Sequence, residues 1–346
     1  MRHVGTNAGK QRGRHGVSQM VGTGRRHTMW LNISGRKVLT MRRVIAIANG
    51  KGGVGKTSLT AGLAGLTAAA GYRILTVDAD PQGNLRRDMG YDSSSGENLA
   101  AAIQNGAPLT PLRNVRANLD CIPGGSALYD IPATYVSRMT RGESLSGLGG
   151  ALDAVRPDES TNADYDMVFV DTPPGEPVLQ DVVFSASDYL IIPTRSDDAS
   201  LDGLVAVATR FAAARRANPG LTLLGVLLFG VRSGSTRLRA TVREALEDTL
   251  DGAAPVFETS IRYLESAAVD MRRHGLLPHE LEQGQLRERA KRLTRLRTGA
   301  KASRADDLLS RDASGLAGDY ASLAREFLQT IAAAEAQRVE PIGALG

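Results

Sequence analysis

The sequence predicts an α/β fold in which helices cover both faces of a mostly parallel, twisted sheet. Strand-like and helix-like segments alternate from Arg42 onward, which is typical of parallel strands joined by crossover helices. Several strand candidates, such as Val168-Phe169-Val170, are uninterrupted apolar runs, as expected where a strand is buried on both faces. A glycine-rich loop at residues 50–58, between the first strand and the first helix, adds the pattern of a P-loop domain.

The individual elements follow from the local residue pattern. Apolar and β-branched runs bounded by glycine, proline or polar residues predict strands, at 44–48, 73–77, 119–122, 167–170, 189–193, 223–231 and 256–257. Segments with apolar residues at helical spacing predict helices, at 56–70, 98–104, 144–155, 178–186, 201–218, 237–251, 281–297 and 316–337. The apolar face of the final helix favours packing against the core and consists of Leu316, Tyr320, Leu323, Phe327 and Ile331.

Length and charge suggest one large domain preceded by a basic extension. The 346 residues fit two domains or one large α/β domain, and we predict a single domain over residues 42–346. Residues 1–43 carry ten Lys or Arg, and the first acidic residue is Asp78. The remaining chain holds 32 basic and 37 acidic residues, so the high pI comes from the N-terminal segment.

Residues 1–41 are rich in Gly, Arg, His and Thr and lack apolar periodicity, which predicts a disordered extension. Two interpretations stay open. The segment is either a basic arm that touches nucleic acid or an upstream extension from an early start codon, since Met41 directly precedes the first strand.

Cysteine usage and hydropathy exclude several classes. The single cysteine, Cys121, rules out an internal disulfide and an all-cysteine metal site within one chain. No run approaches the roughly 18 apolar residues of a membrane span, and no secretory signal pattern is present. We therefore expect a cytoplasmic protein.

The loop at residues 50–58 satisfies the phosphate-binding pattern G-x-x-x-x-G-K-[ST]. Its glycines let the backbone bring N–H groups onto an anion, and the helix that follows points its positive dipole end at the same place. Lys56 is expected to reach the β and γ phosphates and Thr57 to ligate Mg²⁺. The predicted nucleotide-binding residues are Gly50, Lys51, Gly52, Gly53, Val54, Gly55, Lys56, Thr57 and Ser58.

Carboxylates follow two further predicted strands. Asp171 ends the strand at 167–170, and Asp78 and Asp80 follow the strand at 73–77. Because the carboxyl ends of parallel strands line one crevice, these side chains should meet the phosphate loop. We expect Asp171 to hold a Mg²⁺-bound water and one of Asp78 and Asp80 to orient the attacking water.

Residues 284–314 form a basic insertion whose leucines suggest a helix with one apolar stripe. Three interpretations are open: a DNA-facing helix, a membrane-surface helix, or a solvated helix docked by its leucines.

These motifs together resemble a known family. Lys51-Gly-Gly-Val-Gly-Lys-Thr-Ser58 resembles the deviant Walker A box of the ParA/MinD ATPases, with a lysine directly after the first glycine. Asp78-Ala-Asp80-Pro-Gln-Gly-Asn84 resembles the second acidic motif of the ParA branch. The resemblance continues at Ile122-Pro-Gly and Asp171-Thr-Pro-Pro-Gly, and more weakly at Ile192-Pro193-Thr194 and residues 225–238. The resemblance covers roughly residues 42–277 and the final helix.

The resemblance implies an ATP- and Mg²⁺-dependent homodimer with slow hydrolysis. Lys51 would be the lysine that crosses to the nucleotide bound by the other subunit. Asp80 would activate water beside the catalytic Lys51 and Lys56, and Thr57, Asp78 and Asp171 would support the metal.

The resemblance also implies partitioning of a plasmid or chromosome. The ATP dimer would bind DNA without sequence preference, and a ParB-like centromere-binding protein would stimulate hydrolysis. The protein would be cytoplasmic, associated with the nucleoid in its ATP form, and without stable membrane association. Residues matching the family's basic contacts are Arg232 or Arg237, and Arg262, while Arg292 and Arg295 of the basic run are further DNA-binding candidates.

Two departures and two alternative functions accompany the resemblance. Phe229 and Gly230 offer no side-chain hydrogen bond where the family often recognises the base, and residues 267–274 replace its serine-to-histidine stretch.

The first alternative function is a MinD-like, membrane-associated positioning ATPase, which would need a basic amphipathic C-terminal helix. A metabolic enzyme on the same fold is the second, but an iron-sulfur reductase of this superfamily needs two cysteines.

Overall fold

A computed structural model describes residues 43–143, 147–155, 164–196, 198–231, 236–250, 255–298 and 313–339. These residues all belong to one compact unit that spans residues 39–346. The predicted N-terminal extension at 1–41 lies outside the described residues, as do residues 299–312 of the predicted insertion. The proposed division of the chain therefore stays a prediction.

Eight strands form the sheet, in the order β3-β4-β2-β5-β1-β6-β7-β8. Only the β3–β4 pair is antiparallel, and every other neighbouring pair is parallel. The strands are β1 Val44–Ile47, β2 Ile74–Asp78, β3 Leu112–Arg116, β4 Leu119–Ile122, β5 Met167–Asp171, β6 Tyr189–Thr194, β7 Thr222–Val231 and β8 Ile261–Arg262.

Helices connect the strands and close the chain. They are α1 Lys56–Ala69, α2 Leu85–Met89, α3 Glu97–Asn105, α4 Ile131–Met139, α5 Gly147–Ala154, α6 Pro177–Ser185, α7 Asp198–Ala217, α8 Thr236–Leu250, α9 Glu265–His274, α10 Pro278–Thr298 and α11 Ser314–Val339. A 3-10 helix, Ser126–Asp130, precedes α4.

The sheet separates two apolar cores. Successive side chains of a strand point to opposite faces, so Val44 and Ala46 belong to one core and Ile45 and Ile47 to the other. Helices α3, α5, α6 and α7 cover the first face, and α1, α2, α9 and α11 cover the second. The predicted α/β architecture, with a mostly parallel sheet covered on both sides, is confirmed.

The far edge of the sheet differs from the prediction. Val256 makes only an isolated bridge to Val226, and the edge strand is the two-residue β8, so the strand predicted at 256–257 was wrong. Strand β3 was not predicted because its first three residues are exposed and give no apolar alternation. Helix α9 was missed because few of its side chains are buried.

The apolar face of α11 packs into the second core, as the sequence predicts. Its leucine, tyrosine, phenylalanine and isoleucine side chains, at 316, 320, 323, 327 and 331, are all buried. Across the described part of the chain, no helix is both long and apolar enough to cross a membrane.

Candidate nucleotide-binding site

The phosphate loop connects β1 to α1 through left-handed glycines. Gly53 and Gly55 have φ angles of 75° and 91°, which side chains with a Cβ rarely adopt. A Cβ on Gly55 would also lie 2.3 Å from the Phe229 ring. Gly55 caps α1 without a side-chain acceptor, so the first-turn amides are left for an anionic ligand.

Lys56 is the charge at the centre of the loop. Its side chain is buried, and Nζ donates a hydrogen bond to the carbonyl oxygen of Lys51 at 3.0 Å. Burial lowers the pKa of Lys56, while the nearby Asp171 and Asp80 carboxylates act to raise it. The ammonium therefore sits between the loop and two acids, where nucleotide phosphates would supply further acceptors.

Asp78 and Asp80 shape the acidic loop after β2. The two carboxylate oxygens of Asp78 accept the backbone N–H groups of Asp80 and Leu85 at 3.1 and 3.0 Å. Complete burial raises the pKa of Asp78 to about 7, although these bonds act in the opposite direction. Asp80 is also buried and accepts the Gln82 amide at 2.9 Å. The Mg²⁺-supporting role of Asp78 and the water-activating role of Asp80 stay predictions.

The close approach of two backbone segments explains why the Ile122-Pro-Gly motif ends in a glycine, Gly124. A Cβ at this position would lie 2.2 Å from the carbonyl oxygen of Asp78 and 2.8 Å from that of Asp80. The backbone at the end of β4 therefore packs directly against the acidic loop, and only glycine allows this approach.

Asp171 brings the third strand end into the same cluster. In the sheet register it lies beside Asp78 on one side and Ile47 on the other. Its side chain is fully buried, and neither carboxylate oxygen has a hydrogen-bond partner among the residues described. Burial and the Asp78 carboxylate raise its pKa well above the ordinary value, while the nearby Thr57 hydroxyl and the Lys56 ammonium act to lower it.

This cluster fits a Mg²⁺ ion that is bound together with a nucleotide. The unpartnered carboxylate of Asp171 is an oxygen ligand of the type that Mg²⁺ prefers. In the described segments, no three His, Cys, Asp or Glu side chains gather as an all-protein metal site. Mg²⁺ is commonly held by one or two carboxylates plus substrate phosphates, and this donor set agrees with that mode.

The turn after Asp171 is held against the phosphate loop. The Thr172 hydroxyl donates to the carbonyl oxygen of Ile47 at 2.9 Å. Buried Gln180 donates through Nε2 to the carbonyl oxygen of Pro173 at 3.1 Å. A Cβ on Gly52 would lie 3.8 Å from Pro174, so the predicted turn and the glycine loop are close neighbours.

Asn49 is a site residue that the sequence analysis missed. It is completely buried, its Oδ1 accepts the Lys51 amide at 2.9 Å, and its Nδ2 donates to the carbonyl oxygen of Pro193 at 2.8 Å. A Cβ on Gly203 would lie 2.5 Å from Asn49 Oδ1. The sequence offered one signal for this role, which is the position of Asn49 directly before the glycine loop.

Asp88 is the second missed residue. It is nearly fully buried in α2 and accepts the Ser58 hydroxyl at 2.8 Å. Arg272 of α9 donates to its other oxygen at 3.3 Å. Burial raises the pKa of Asp88, although both partners act to lower it. The carboxylate therefore links the start of α1 to α9, and no local sequence pattern marks it.

The predicted DNA-contacting arginines are distributed outside this cluster. Arg262 donates through Nε and Nη2 to the two carboxylate oxygens of Asp319 at 2.7 and 2.9 Å, so it braces β8 against α11. Arg237 lies in α8, and Arg292 and Arg295 lie in α10, with side chains outside the description. Arg232 is outside the described residues. Their DNA contacts stay predictions.

Comparison with known proteins identifies the family. A family model described as an AAA domain matches residues 42–223. The chromosome partitioning protein ParA of Caulobacter vibrioides is 34% identical over 197 residues, which cover 54% of this chain and 68% of that protein. The sporulation initiation inhibitor protein Soj of Bacillus subtilis is 32% identical over 192 residues, covering 54% and 72%. The chain belongs to the ParA/MinD family of P-loop ATPases.

Solved structures share the fold of this chain. Cobyrinic acid a,c-diamide synthase from Mycobacterium smegmatis, with bound ADP and magnesium, is 26% identical with a TM-score of 0.55, covering 68% of this chain and 93% of that chain. An ATP complex of a McdA variant from Cyanothece shares the fold, at 21% identity and a TM-score of 0.58, covering 76% and 98%. The ParA/MinD match ends before α8, so α9, α10 and α11 lie beyond the family model.

Proposed function

We propose that this protein is a Mg²⁺-dependent, dimerising ATPase that binds DNA non-specifically and drives partitioning of a plasmid or chromosome. The observation that carries the proposal is the buried cluster around Lys56, where three strand ends bring together the phosphate loop, Asp80 and Asp171. The relatives named for chromosome partitioning support the cellular role.

Each residue of the cluster has a role in this proposal. The loop amides and Lys56 bind the β and γ phosphates. Thr57 and Asp171 hold Mg²⁺, which supplies positive charge to the phosphate oxygens when bound. Asp80 orients the attacking water, and its backbone is fixed by the Asp78 carboxylate. Hydrolysis is slow until a ParB-like centromere-binding partner stimulates it.

Lys51 makes the active unit a dimer. Its backbone is fixed on both sides, because Asn49 Oδ1 accepts its N–H and Lys56 Nζ donates to its carbonyl oxygen. With the main chain held, the side chain can be directed across a subunit interface to the γ-phosphate bound by the other copy. Two phosphate loops that face each other concentrate negative charge, and a lysine from each subunit neutralises it.

The nucleotide cycle would then control where the protein resides. The ATP dimer binds nucleoid DNA through Lys and Arg contacts to phosphates, with a steep dependence on salt. Hydrolysis separates the dimer and releases it into the cytoplasm. The partner at the centromere sets the position of release.

DNA co-sedimentation with ATP, with ADP and without nucleotide tests this proposal. We expect retention only with ATP, loss of retention in Lys56→Ala, and persistent retention with loss of hydrolysis in Asp80→Ala. Asp92→Ala is the matched control, because Asp92 is an exposed aspartate outside the cluster. Two results would contradict the proposal. One is retention of the protein on DNA to the same extent with ATP, with ADP and without nucleotide. The other is an Asp80→Ala variant that hydrolyses ATP at the wild-type rate.

A further inference from the structure

Helix α10 consists of a docked half and a projecting half. The docked half has Leu281 in the second core, next to Leu277 just before the helix, and Glu280 in an ion pair to Arg116. It ends where Gln285 Oε1 accepts the Ala313 amide at 3.1 Å. Residues 285 and 313 are therefore in direct contact at the end of the docked half.

From residue 286 to residue 298, the described side chains of the helix are mostly exposed. Apart from Glu288, every side chain described between 286 and 298 is exposed. Leu286 and Leu293 are 60% and 55% exposed, so these two leucines do not dock the helix against the body. We call residues 286–298 the basic arm.

The basic arm carries concentrated positive charge. It holds six Lys or Arg and one Glu in its sequence. Arg287, Arg289, Lys291 and Arg297 are exposed, and none pairs with a carboxylate among the described residues. Arginines of the body behave differently, since several are paired with acids, as in Arg43–Glu335, Arg73–Asp166 and Arg262–Asp319.

The direction of these cations distinguishes the polyanions that could receive them. At about 100° per residue, Arg287 and Lys291 lie on one side of the helix. Arg297 lies within about 20° of Leu286 and about 120° from Lys291. Arg289 lies about 60° from Leu286 and about 160° from Lys291. A membrane-surface helix needs its charges segregated from its apolar face, and here a cation stands in the leucine row itself.

Duplex DNA offers phosphates on both sides of a docked helix. Its major groove is about 12 Å wide, admits an α-helix, and is bordered by two phosphate rows. A helix with cations on both sides can contact both rows without reading bases, which gives affinity without sequence preference.

We infer that the basic arm is a DNA-phosphate-binding element that this chain adds beyond the segment matched by the family model. The inference rests on the proposed function, because that function supplies duplex DNA as the partner. The arm contributes most of its binding through counterion release, so its contribution falls steeply as salt rises.

The test is a salt titration of DNA binding by the full-length protein with ATP and Mg²⁺, measured by fluorescence anisotropy on a duplex of arbitrary sequence. The variant Lys291→Gln/Arg297→Gln removes one cation from each side of the arm. Two lost phosphate contacts should reduce the slope of log K against log salt by about 1.8, which weakens binding by about 60-fold at 0.1 M salt.

Two further variants separate this contact from net charge. Arg216→Gln/Arg325→Gln removes the same charge from exposed positions on α7 and α11, and it should keep nearly the wild-type slope. Lys291→Arg/Arg297→Lys keeps both charges and should also keep the slope. Equal unfolding temperatures for all variants would establish that the body is intact, as expected for exposed side chains.

The outcomes are distinguishable. If the wild type binds DNA with ATP and the arm variant keeps the wild-type slope, the inference is overturned and the proposed function stands. Equal weakening in the control pair also overturns it. If the wild type binds no DNA under any condition, the proposed function fails with it. Binding to phosphatidylserine vesicles that competes with DNA and needs Lys291 and Arg297 would assign the arm to a membrane instead.

Discussion

Arg116 offers the sharpest test of how the second face of the sheet is held together. All five of its N–H groups donate: two to Glu280 at 2.6 and 3.0 Å, and one each to the carbonyl oxygens of Met89, Val115 and Gly275, at 2.9, 2.9 and 2.7 Å. A single side chain of the β3–β4 hairpin therefore joins the ends of α2 and α9 to the start of α10.

We predict that Arg116→Ala destabilises the protein by about 2–3 kcal/mol. Removing one partner of a fully buried ion pair costs about 3–5 kcal/mol, and an exposed pair contributes about 0–1 kcal/mol. The Arg116 and Glu280 side chains are 25% and 24% exposed, which places this pair between the limits. For a domain of this size, the loss corresponds to a fall of roughly 3–5 °C in Tm.

The effect should depend on pH in a defined direction. Burial raises the pKa of Glu280, but the bonds from Arg116 and the Leu277 amide outweigh it and hold the pKa below its ordinary value of 4.5. A depressed carboxylate pKa contributes stability above that value and loses it as pH falls through the folded-state pKa. The gap between wild type and Arg116→Ala should therefore narrow below about pH 4.

Urea denaturation at pH 7 and at pH 3.5 measures both effects. Arg141→Ala is the control, because Arg141 and Glu143 form an ion pair with side chains 55% and 50% exposed, and the loss of a solvent-screened pair should leave the free energy of unfolding nearly unchanged. Arg116→Lys should recover only part of the stability, since an ammonium has three donors. Equal stability of Arg116→Ala and the control at pH 7 would refute the conclusion that the Arg116 hydrogen bonds hold α2, α9 and α10 together.

Three further predictions concern the nucleotide site. Gly55→Ala should abolish ATP binding in equilibrium dialysis, because the new Cβ would meet Phe229 and the φ angle is left-handed; retained affinity would contradict this. Asn49→Ala releases the Lys51 amide, so ATP-dependent dimerisation, followed by light scattering, should weaken at least tenfold more than ATP binding; an equal loss of both would indicate a purely structural role. Asp171→Asn removes a buried carboxylate without a described partner, so Tm without nucleotide should rise by a few degrees and the stabilisation by Mg²⁺ and ATP should vanish; a lower Tm without nucleotide would refute this.

The parallel sheet and the phosphate loop could be predicted because their signals are local. Strands β1, β2, β5 and β6 are buried along their whole length, so their sequences are continuous apolar runs. The loop needs glycine at positions with positive φ, and that requirement appears directly as spacing in the sequence. The convergence of Asp78 and Asp171 followed from the rule that parallel strands end at one edge.

The remaining features depend on partners that are distant in sequence. Arg116 and Glu280 are separated by 164 positions, and Asp88 and Arg272 by 184. Neither residue of such a pair differs locally from a solvated charge, so only the assembled fold reveals the contact. The same reasoning applies to Leu286 and Leu293, whose spacing left docking open as one of three interpretations, although both side chains are exposed in the fold.

The hydrogen bond between Gln285 and Ala313 closes the base of the excursion that begins with the basic arm. Because the two ends meet there, a short linker could join them, and the entropy of closing a loop depends only weakly on its length. The segment between them can therefore be lengthened, shortened or exchanged without altering the core or the ATP site. A change confined to that segment would therefore alter the charge that the protein presents to a partner without altering the sheet that holds the phosphate loop.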